Sequence, residues 1–419
     1  MPNYYIAIML SLLLLMTSVV HADELLKHRK LLQMHQFKTL ERQLQNVNDQ
    51  YLNGQASLRD YYWSIDTLWL ERDLDAPWLW GALKAWRKHK PGSAYMNVVI
   101  GKYYTDKAYA ARGADWGSEV SNKQFKQMET YFETAGHYLD QGLKSNPAIV
   151  DGHIEMLGII RTSRAKKFNK SLVAALLNYM KTVPIEVKRK EAVWSHLLQS
   201  AIPRWGGSYT EMEGIIRSEV MKIKPAIPDR DIAALKDTIA YDQMSMSVIN
   251  ADYAAALEEG EKRIKANTNY AGIYLVASNA AYNLEDYQRC YQYAKKATEL
   301  RPWRSFGWNR SGICAIKLQK WPEANKAYRT KLYLDGDAKY DVFQLGVTYM
   351  YLYQFDKAYA LFKKAEELDP DYKKYTQKYT SYIEKEKRSS MNLVGQDITN
   401  IIGVIAYEGD VSKNKGHNH

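Results

Sequence analysis

The chain has 419 residues, of which 46% are hydrophobic and 25% charged, with a formal net charge of +11 at neutral pH. At roughly 150 residues per domain it has room for two or three domains, and this composition excludes a polytopic membrane protein and a mainly disordered chain. Two cysteines cannot build a disulfide framework or a four-cysteine zinc site, and the positive charge admits anionic partners such as lipid headgroups, cell-wall polymers or an acidic protein.

Residues 6–16 form an apolar run, Ile-Ala-Ile-Met-Leu-Ser-Leu-Leu-Leu-Leu-Met, too short for the about 20 residues of a membrane span. Val20-His21-Ala22 follows, with Val20 and Ala22 at the −3 and −1 positions of a cleavage site. Residues 1–22 are therefore expected to be a signal peptide, and Asp23 the first residue of a periplasmic or secreted mature chain. No Lys or Arg precedes the run, which keeps an uncleaved anchor as the alternative. No second stretch approaches a span, and nucleic acid is not an expected partner of an exported protein.

An N-terminal helical segment is expected over 23–92. Residues 24–50 carry one apolar helical face, made by Leu25, Leu32, Phe37, Leu40, Leu44 and Val47. Asn53-Gly54 ends it, and Ser57 with Asp60 opens the next helix as a capping box. Residues 61–86 then hold Tyr61, Tyr62, Trp63, Trp69, Trp78, Trp80 and Trp86. Large aromatics mostly serve burial, so several should face inward; a subset left at the surface would bind sugar or peptide.

Further helices are expected over 93–111, 121–145, 148–163, 171–182, 186–201 and 209–222, with capping boxes at Ser121/Gln124 and Ser208/Glu211. Basic residues crowd the middle of this stretch. Arg161, Arg164, Lys166, Lys167, Lys170, Lys181, Lys188, Arg189 and Lys190 stand against one acid, Glu186. They read as a solvated basic face, or as a patch for an anionic envelope component. Pro203-Arg204-Trp205-Gly206-Gly207-Ser208 with Met212 after it, Ala111-Arg112-Gly113, and the helix pair ending at Asn146-Pro147 make residues 93–222 resemble an uncharacterised bacterial helical domain, a domain of unknown function with an Arg-Trp-Gly-Gly-Ser motif. The resemblance implies a helical fold and no known activity; the domain is assigned residues 93–230. From the residues themselves, Gly206 and Gly207 should supply the positive φ of a helix C-cap, Ser208 should cap the next helix, and Arg204 and Trp205 should lock the corner by packing.

The C-terminal half repeats with a period of 34, in four units at 237–270, 271–304, 305–338 and 339–372. The last unit has Leu345 and Gly346 at positions 7 and 8, Tyr349 at 11, Ala358 at 20, Phe362 at 24, Ala365 at 27 and Pro370 at 32. Position 17 is aromatic throughout (Tyr253, Tyr287, Trp321, Phe355) and position 20 is small (Ala256, Cys290, Ala324, Ala358). This pattern resembles the tetratricopeptide-repeat (TPR) family. The resemblance implies antiparallel helix pairs, A and B, stacked into a solenoid. Positions 8 and 20 mark where the two helices cross, so small residues fit there, while bulky residues at 4, 11, 17 and 24 fill the space around the crossing. Residues 373–389, rich in Tyr and Lys, suit a helix that caps the open end. The 390–419 tail is expected to dock back on the array or stay loose; its His417 and His419 have a spacing that could weakly capture metal, and the favoured reading is an ordinary loose terminus. No strand alternation persists anywhere, so the fold class is all-α: a helical solenoid of TPR units behind an N-terminal helical domain.

The resemblance also implies a binding face on helix A at positions 2, 5, 9, 12 and 13. In this register it includes Asn279, Tyr282, Asn283, Asn309, Lys317, Tyr340, Phe343, Met350 and Tyr351. Asparagines hydrogen-bond a peptide backbone in either sense, and aromatics give rigid apolar contact. The family's clamp for a C-terminal carboxylate needs Lys and Arg at set positions. Asn279 matches it, but Leu275 and Tyr340 stand where the clamp has lysines. An internal or extended peptide, or a folded partner, is therefore expected; alternatively Tyr340, Phe343 and Met350 are covered by the chain's own tail.

No nucleophile elbow, phosphate-binding loop, His-Glu-x-x-His or dinucleotide fingerprint occurs, and the nine histidines are scattered. No catalytic, cofactor or metal residue is assigned. The expected function is an exported scaffold that binds protein or peptide in the cell envelope. The alternatives are an enzyme or a cell-wall or sugar-binding module in the aromatic-rich N-terminal half, and a cognate binder of an exported toxin. Cys290 and Cys314, at positions 20 and 10 of consecutive units, should be neighbours. A disulfide fits an oxidising compartment, and the demanding geometry of a bridge favours two buried thiols.

Overall fold

The computed structural model describes residues 26–113, 119–163 and 170–388; the expected signal peptide and the 390–419 tail lie outside them. Every regular element among the described residues is helical, and no helix there is long and apolar enough to cross a membrane. The chain packs as two compact units. One runs to Ala280 and includes Glu299–Trp303; the other holds Ala281–Thr298 and everything from Arg304 onward.

The first unit begins with α1 (Lys27–Gln33), α2 (Phe37–Leu52), α3 (Leu58–Asp66) and α4 (Pro77–His89). The single helix expected over 24–50 is thus two. His35 breaks it with a φ of 56°. The His35 N–H donates to the Leu32 carbonyl at 3.1 Å and the Gln36 N–H to that of Leu31 at 2.9 Å, a Schellman ending made without glycine. The capping box at Ser57 is present: Ser57 Oγ accepts from the Asp60 N–H, and the Asp60 carboxylate from the Ser57 N–H, both at 3.2 Å. Of the aromatics in 61–86, Tyr61, Trp69 and Trp86 are buried and the other four half-buried.

Next come α5 (Ala94–Arg112), α6 (Asn122–Ser145), α7 (Val150–Ser163) and α8 (Lys170–Thr182). Ser121 and Gln124 cap α6 reciprocally. α5 and α6 approach closely because two glycines lie in the contact. A Cβ at Gly101 would stand 2.6 Å from Leu139 Cγ, and one at Gly142 would stand 2.9 Å from the Ala94 carbonyl oxygen. After α9 (Ile185–Lys188) and α10 (Glu191–Leu198), a short turn at Pro203–Trp205 leads to α11 (Tyr209–Ile215). Here Gly206 takes the left-handed conformation, φ 89°. Gly207, expected to share that role, serves close approach instead: a side chain on it would run into the Ala201 carbonyl. Ser208 Oγ caps α11 by accepting from the Glu211 N–H at 3.1 Å. Arg204 locks the corner through an ion pair to Asp242, whose other oxygen accepts from Tyr209 Oη at 3.0 Å. α12 (Asp229–Ile249) and α13 (Tyr253–Lys265) follow.

From there the helices keep step with the period. α14 (Ala271–Asn283), α16 (Ser305–Lys317) and α18 (Lys339–Tyr351) are A helices; α15 (Tyr287–Leu300), α17 (Trp321–Asp335) and α19 (Phe355–Leu368) are B helices, as is α13. The position-20 residues Ala256, Cys290, Ala324 and Ala358 are fully buried. Position 8 faces position 24, and the bulk is exchanged between repeats. A Cβ on Gly312 would stand 2.8 Å from the Tyr328 ring, and one on Gly346 would stand 2.7 Å from the Phe362 ring. In the first repeat the glycine is instead Gly260, against Met244. Each A–B turn is closed by a residue in the left-handed region: Ala251, Glu285, Gln319 and Tyr353, with φ between 56° and 61°. Again the ending is of Schellman type, as in the bonds from Gln319 N–H to Ile316 O and from Lys320 N–H to Ala315 O at 2.9 and 2.8 Å. In the second unit α20 (Lys373–Arg388) seals the last repeat, stacking Tyr379 on Phe362 with ring centroids 5.0 Å apart.

Candidate functional site

The A-helix face of the second unit divides the sequence-selected residues. Phe343 and Met350 are 6% and 1% exposed. They lie in the core with Phe362, and the rings of Tyr372, Tyr375 and Tyr379 surround Phe343. They offer no binding surface, since they are packed under α20 and the turn before it; the 390–419 tail, expected as a possible cover, lies outside the described residues. Tyr351 is half-buried, stacked on Trp321 with centroids 3.5 Å apart. Tyr340 remains 37% exposed. It stands at position 2 of its repeat, and position 2 of the preceding repeat is Phe306, 61% exposed. One helical turn beyond Phe306, Asn309 is half-buried and its Oδ1 has no hydrogen-bond partner. Tyr282 carries the Arg310 guanidinium over its ring at 5.0 Å; Lys317 is exposed, its ammonium 5.6 Å from the Tyr287 ring centroid, and Asn283 is exposed. Asn279, half-buried, belongs to the first unit. Cys290 and Cys314 are fully buried in the second unit and paired as a disulfide, their Cα atoms 6.0 Å apart. This corrects the expectation of two free thiols: the helices that carry them bring the two Cα atoms within bridging distance.

The first unit holds an unexpected polar centre. Lys102 and Asp106, one turn apart on α5, face Asp151 and Glu155, one turn apart on α7. Lys102 Nζ lies 3.1 Å from Asp106 Oδ2 and 3.7 Å from Glu155 Oε1. Trp69 Nε1 donates to Asp106 Oδ2 at 2.9 Å. At the end of α3, Asp66 Oδ2 accepts from Trp303 Nε1 at 3.0 Å, while Trp63 stacks on Trp303. Tyr62 Oη sits 3.4 Å from His196 Nε2 and carries Arg301 over its ring. Asp151 is 3% exposed and its Oδ2 has no hydrogen-bond partner. Burial pushes the Asp151 and Glu155 carboxyls well above the usual carboxylate range; Lys102 opposes this and the neighbouring carboxylates add to it. Burial, then the Arg161 and Arg301 charges, lower His196 to about 3, so its imidazole is neutral. No group of three or more His, Cys, Asp or Glu among the described residues is arranged to hold a metal ion.

Comparison with known proteins resolves the two halves differently. Residues 342–372 match the family model described as tetratricopeptide repeat. That match falls in the last of the four units, whose period the units before it share. Residues 24–163 match a domain of unknown function, DUF4034. That match takes in the first part of the 93–222 stretch, and Pro203–Ser208 lies beyond its end. Among solved structures, MamA from Desulfovibrio magneticus RS-1 is 19% identical, with 44% of this chain and 99% of that one covered and a TM-score of 0.33. YrrB, titled a TPR protein with an unusual peptide-binding site, is 16% identical over 59% and 97%, TM-score 0.32. A thermophilic TPR protein from Thermus thermophilus is 18% identical over 45% and 90%, TM-score 0.28. No curated protein matches the chain.

The basic run ahead of the TPR units does not form one free patch. Arg161 donates to Gln199 Oε1 at 3.1 Å, Lys188 to the Lys181 carbonyl at 3.2 Å and Arg189 to the Ala226 carbonyl at 3.4 Å. Lys190 is buried over the Tyr51 ring. Arg164, Lys166 and Lys167 lie outside the described residues. Sequence reasoning missed Lys102, Asp106, Asp151 and Glu155. A signal was present, since Asp151 and Glu155 at i and i+4 repel on a helix face unless something opposite receives them.

Proposed function

We propose that the protein is an exported scaffold whose TPR A helices bind an extended segment of a partner protein. One observation carries this reading: Phe306 and Tyr340, large apolar residues at position 2 of consecutive repeats, stand exposed, and Asn309, one turn beyond Phe306, has an unpartnered Oδ1. Two aromatics at an equivalent register offer rigid contact at low entropy cost. A buried amide oxygen without a donor is the kind of group a peptide N–H satisfies. Tyr282, Asn283 and Tyr351 extend the candidate set. Export rests on the apolar run at 6–16 with its Val-x-Ala ending, and the Cys290–Cys314 pair suits an oxidising envelope.

The test is panning of a random linear peptide library against the purified mature chain. Peptides selected by the wild type should bind a Phe306→Ser, Asn309→Ala, Tyr340→Ser variant at least ten-fold more weakly, with an unchanged melting temperature. Equal binding by a folded variant would place the partner elsewhere.

A further inference from the structure

We propose that the polar centre of the first unit is a binding site for an uncharged saccharide, distinct from the TPR face. Three features select that ligand class. The first is charge balance. Asp66 and Asp106 repel a free anion, and Lys102 and Arg301 repel a free cation. A neutral polyol, which both donates and accepts at every hydroxyl, meets carboxylates, an ammonium and a neutral His196 without an unpaired charge. The second is the unmet hydrogen-bonding capacity of Asp151. Its Oδ2 is buried and without a partner, which a native structure leaves so only at a price. A ligand hydroxyl supplies what is missing. The third is the aromatic wall. Trp63 and Tyr62 keep part of their surface and are held in place, Trp63 by Trp303 and the Arg59 guanidinium and Tyr62 by that of Arg301. The part of each fixed ring that stays exposed can meet the C–H face of a sugar ring with little ordering cost.

The centre meets solvent at its edge. The Lys102 and Glu155 side chains each keep 12% exposure and that of Asp106 27%, although each lies within an ion-paired network where a sealed core would leave none. Burial raises the Glu155 carboxyl, so near neutral pH it holds a proton and can donate to a sugar oxygen.

The experiment titrates the full mature chain with triacetylchitotriose, maltotriose and cellotriose, read by tryptophan fluorescence and calorimetry, with spermine and inorganic phosphate as charged comparators. Saturable binding of a saccharide is expected, weakened at least ten-fold by Glu155→Gln, and by Trp63→Leu with the melting temperature retained. If Trp63→Leu unfolds the unit, the near-isosteric Glu155→Gln decides. Co-sedimentation with insoluble peptidoglycan separates a polymer-borne sugar from a free one; either supports the proposal. No saturable response to any saccharide, binding of only spermine or phosphate, or saccharide binding untouched in Glu155→Gln would overturn it. The TPR-face variants leave this binding unchanged, so failure here and failure of the scaffold reading are separate results.

Discussion

Replacing Gly346 by Ala probes the packing logic of the repeats with a single methyl group. On an open helix face the change stabilises by about 1 kcal/mol, because glycine is the poorer helix former. Gly346 does not have an open face. The added Cβ would stand 2.7 and 2.9 Å from two carbons of the Phe362 ring. That ring is fully buried and cannot swing away: Tyr379 stacks on it at 5.0 Å and Phe343 lies 5.7 Å off. Overpacking of this kind costs about 1–3 kcal/mol. The helix-propensity gain offsets about 1 kcal/mol of it, leaving a net loss of up to about 2 kcal/mol, read as a lower urea midpoint at unchanged m-value. Gly136, on α6, is the control, since a Cβ there meets nothing within 4 Å. Gly136→Ala should stabilise by about 1 kcal/mol. Adding Phe362→Leu to Gly346→Ala should recover part of the loss, with a coupling of roughly 0.5 kcal/mol or more. A Gly346→Ala protein as stable as Gly136→Ala would refute the claim that position 8 is kept small by the ring at position 24.

The left-handed turns make a second test. An L-residue in that conformation costs roughly 1–2 kcal/mol and glycine gives back about 0.5–1 through chain entropy, so Gln319→Gly or Glu285→Gly should raise stability by about 0.5–1 kcal/mol; a loss would mean that those side chains hold the turn. The Cys290–Cys314 pair closes a loop with a sequence separation of 24. By the chain-entropy relation its reduction should cost about 3 kcal/mol, and intact-mass analysis after alkylation without reductant should find no modified cysteine; two modified cysteines would show free thiols. Finally, burial lowers His28 to about 4 and His196 to about 3, and lowers His153 as well. Each folded value lies below the unfolded value of about 6.5, so the unfolded chain takes up protons first and stability is lost as pH falls from about 6.5 toward 4, by up to about 1.4 kcal/mol per pH unit per histidine. Asp151 and Glu155, raised in the fold, keep protons that the unfolded chain releases and oppose this trend. An Asp151→Asn, Glu155→Gln protein should therefore lose melting temperature more steeply between pH 7 and pH 5 than the wild type; parallel curves would rule the carboxyls out.

The repeats were legible because their constraint is local and recurs. A small residue at position 20 and an aromatic at 17 fall at the same offset in all four units, and from Ala271 on the A and B helices begin where that register puts them; the first A helix, α12, begins ahead of it at Asp229. Their turns were not legible as such, because Ala251, Glu285, Gln319 and Tyr353 adopt a backbone conformation that usually advertises itself through glycine. The same blindness merged α1 and α2 across His35. On the TPR face, helical offsets named Phe343 and Met350, but nothing in their own repeat reveals that α20 lies over them. The polar centre of the first unit was hidden by distance along the chain: Asp66 meets Trp303 across 237 positions and Tyr62 meets His196 across 134. Nothing local in the sequence brings such pairs together.

The central claim is that a partner segment lies along the A helices of the TPR units. Its most direct measurement is site-specific photo-crosslinking in living cells, with a photoreactive phenylalanine analogue placed singly at Phe306, at Tyr340 and, on the B-helix side, at the exposed Lys326. The account predicts a discrete adduct of the same partner from Phe306 and Tyr340 and none from Lys326. Adducts of equal yield at all three positions, or at Lys326 alone, would contradict it.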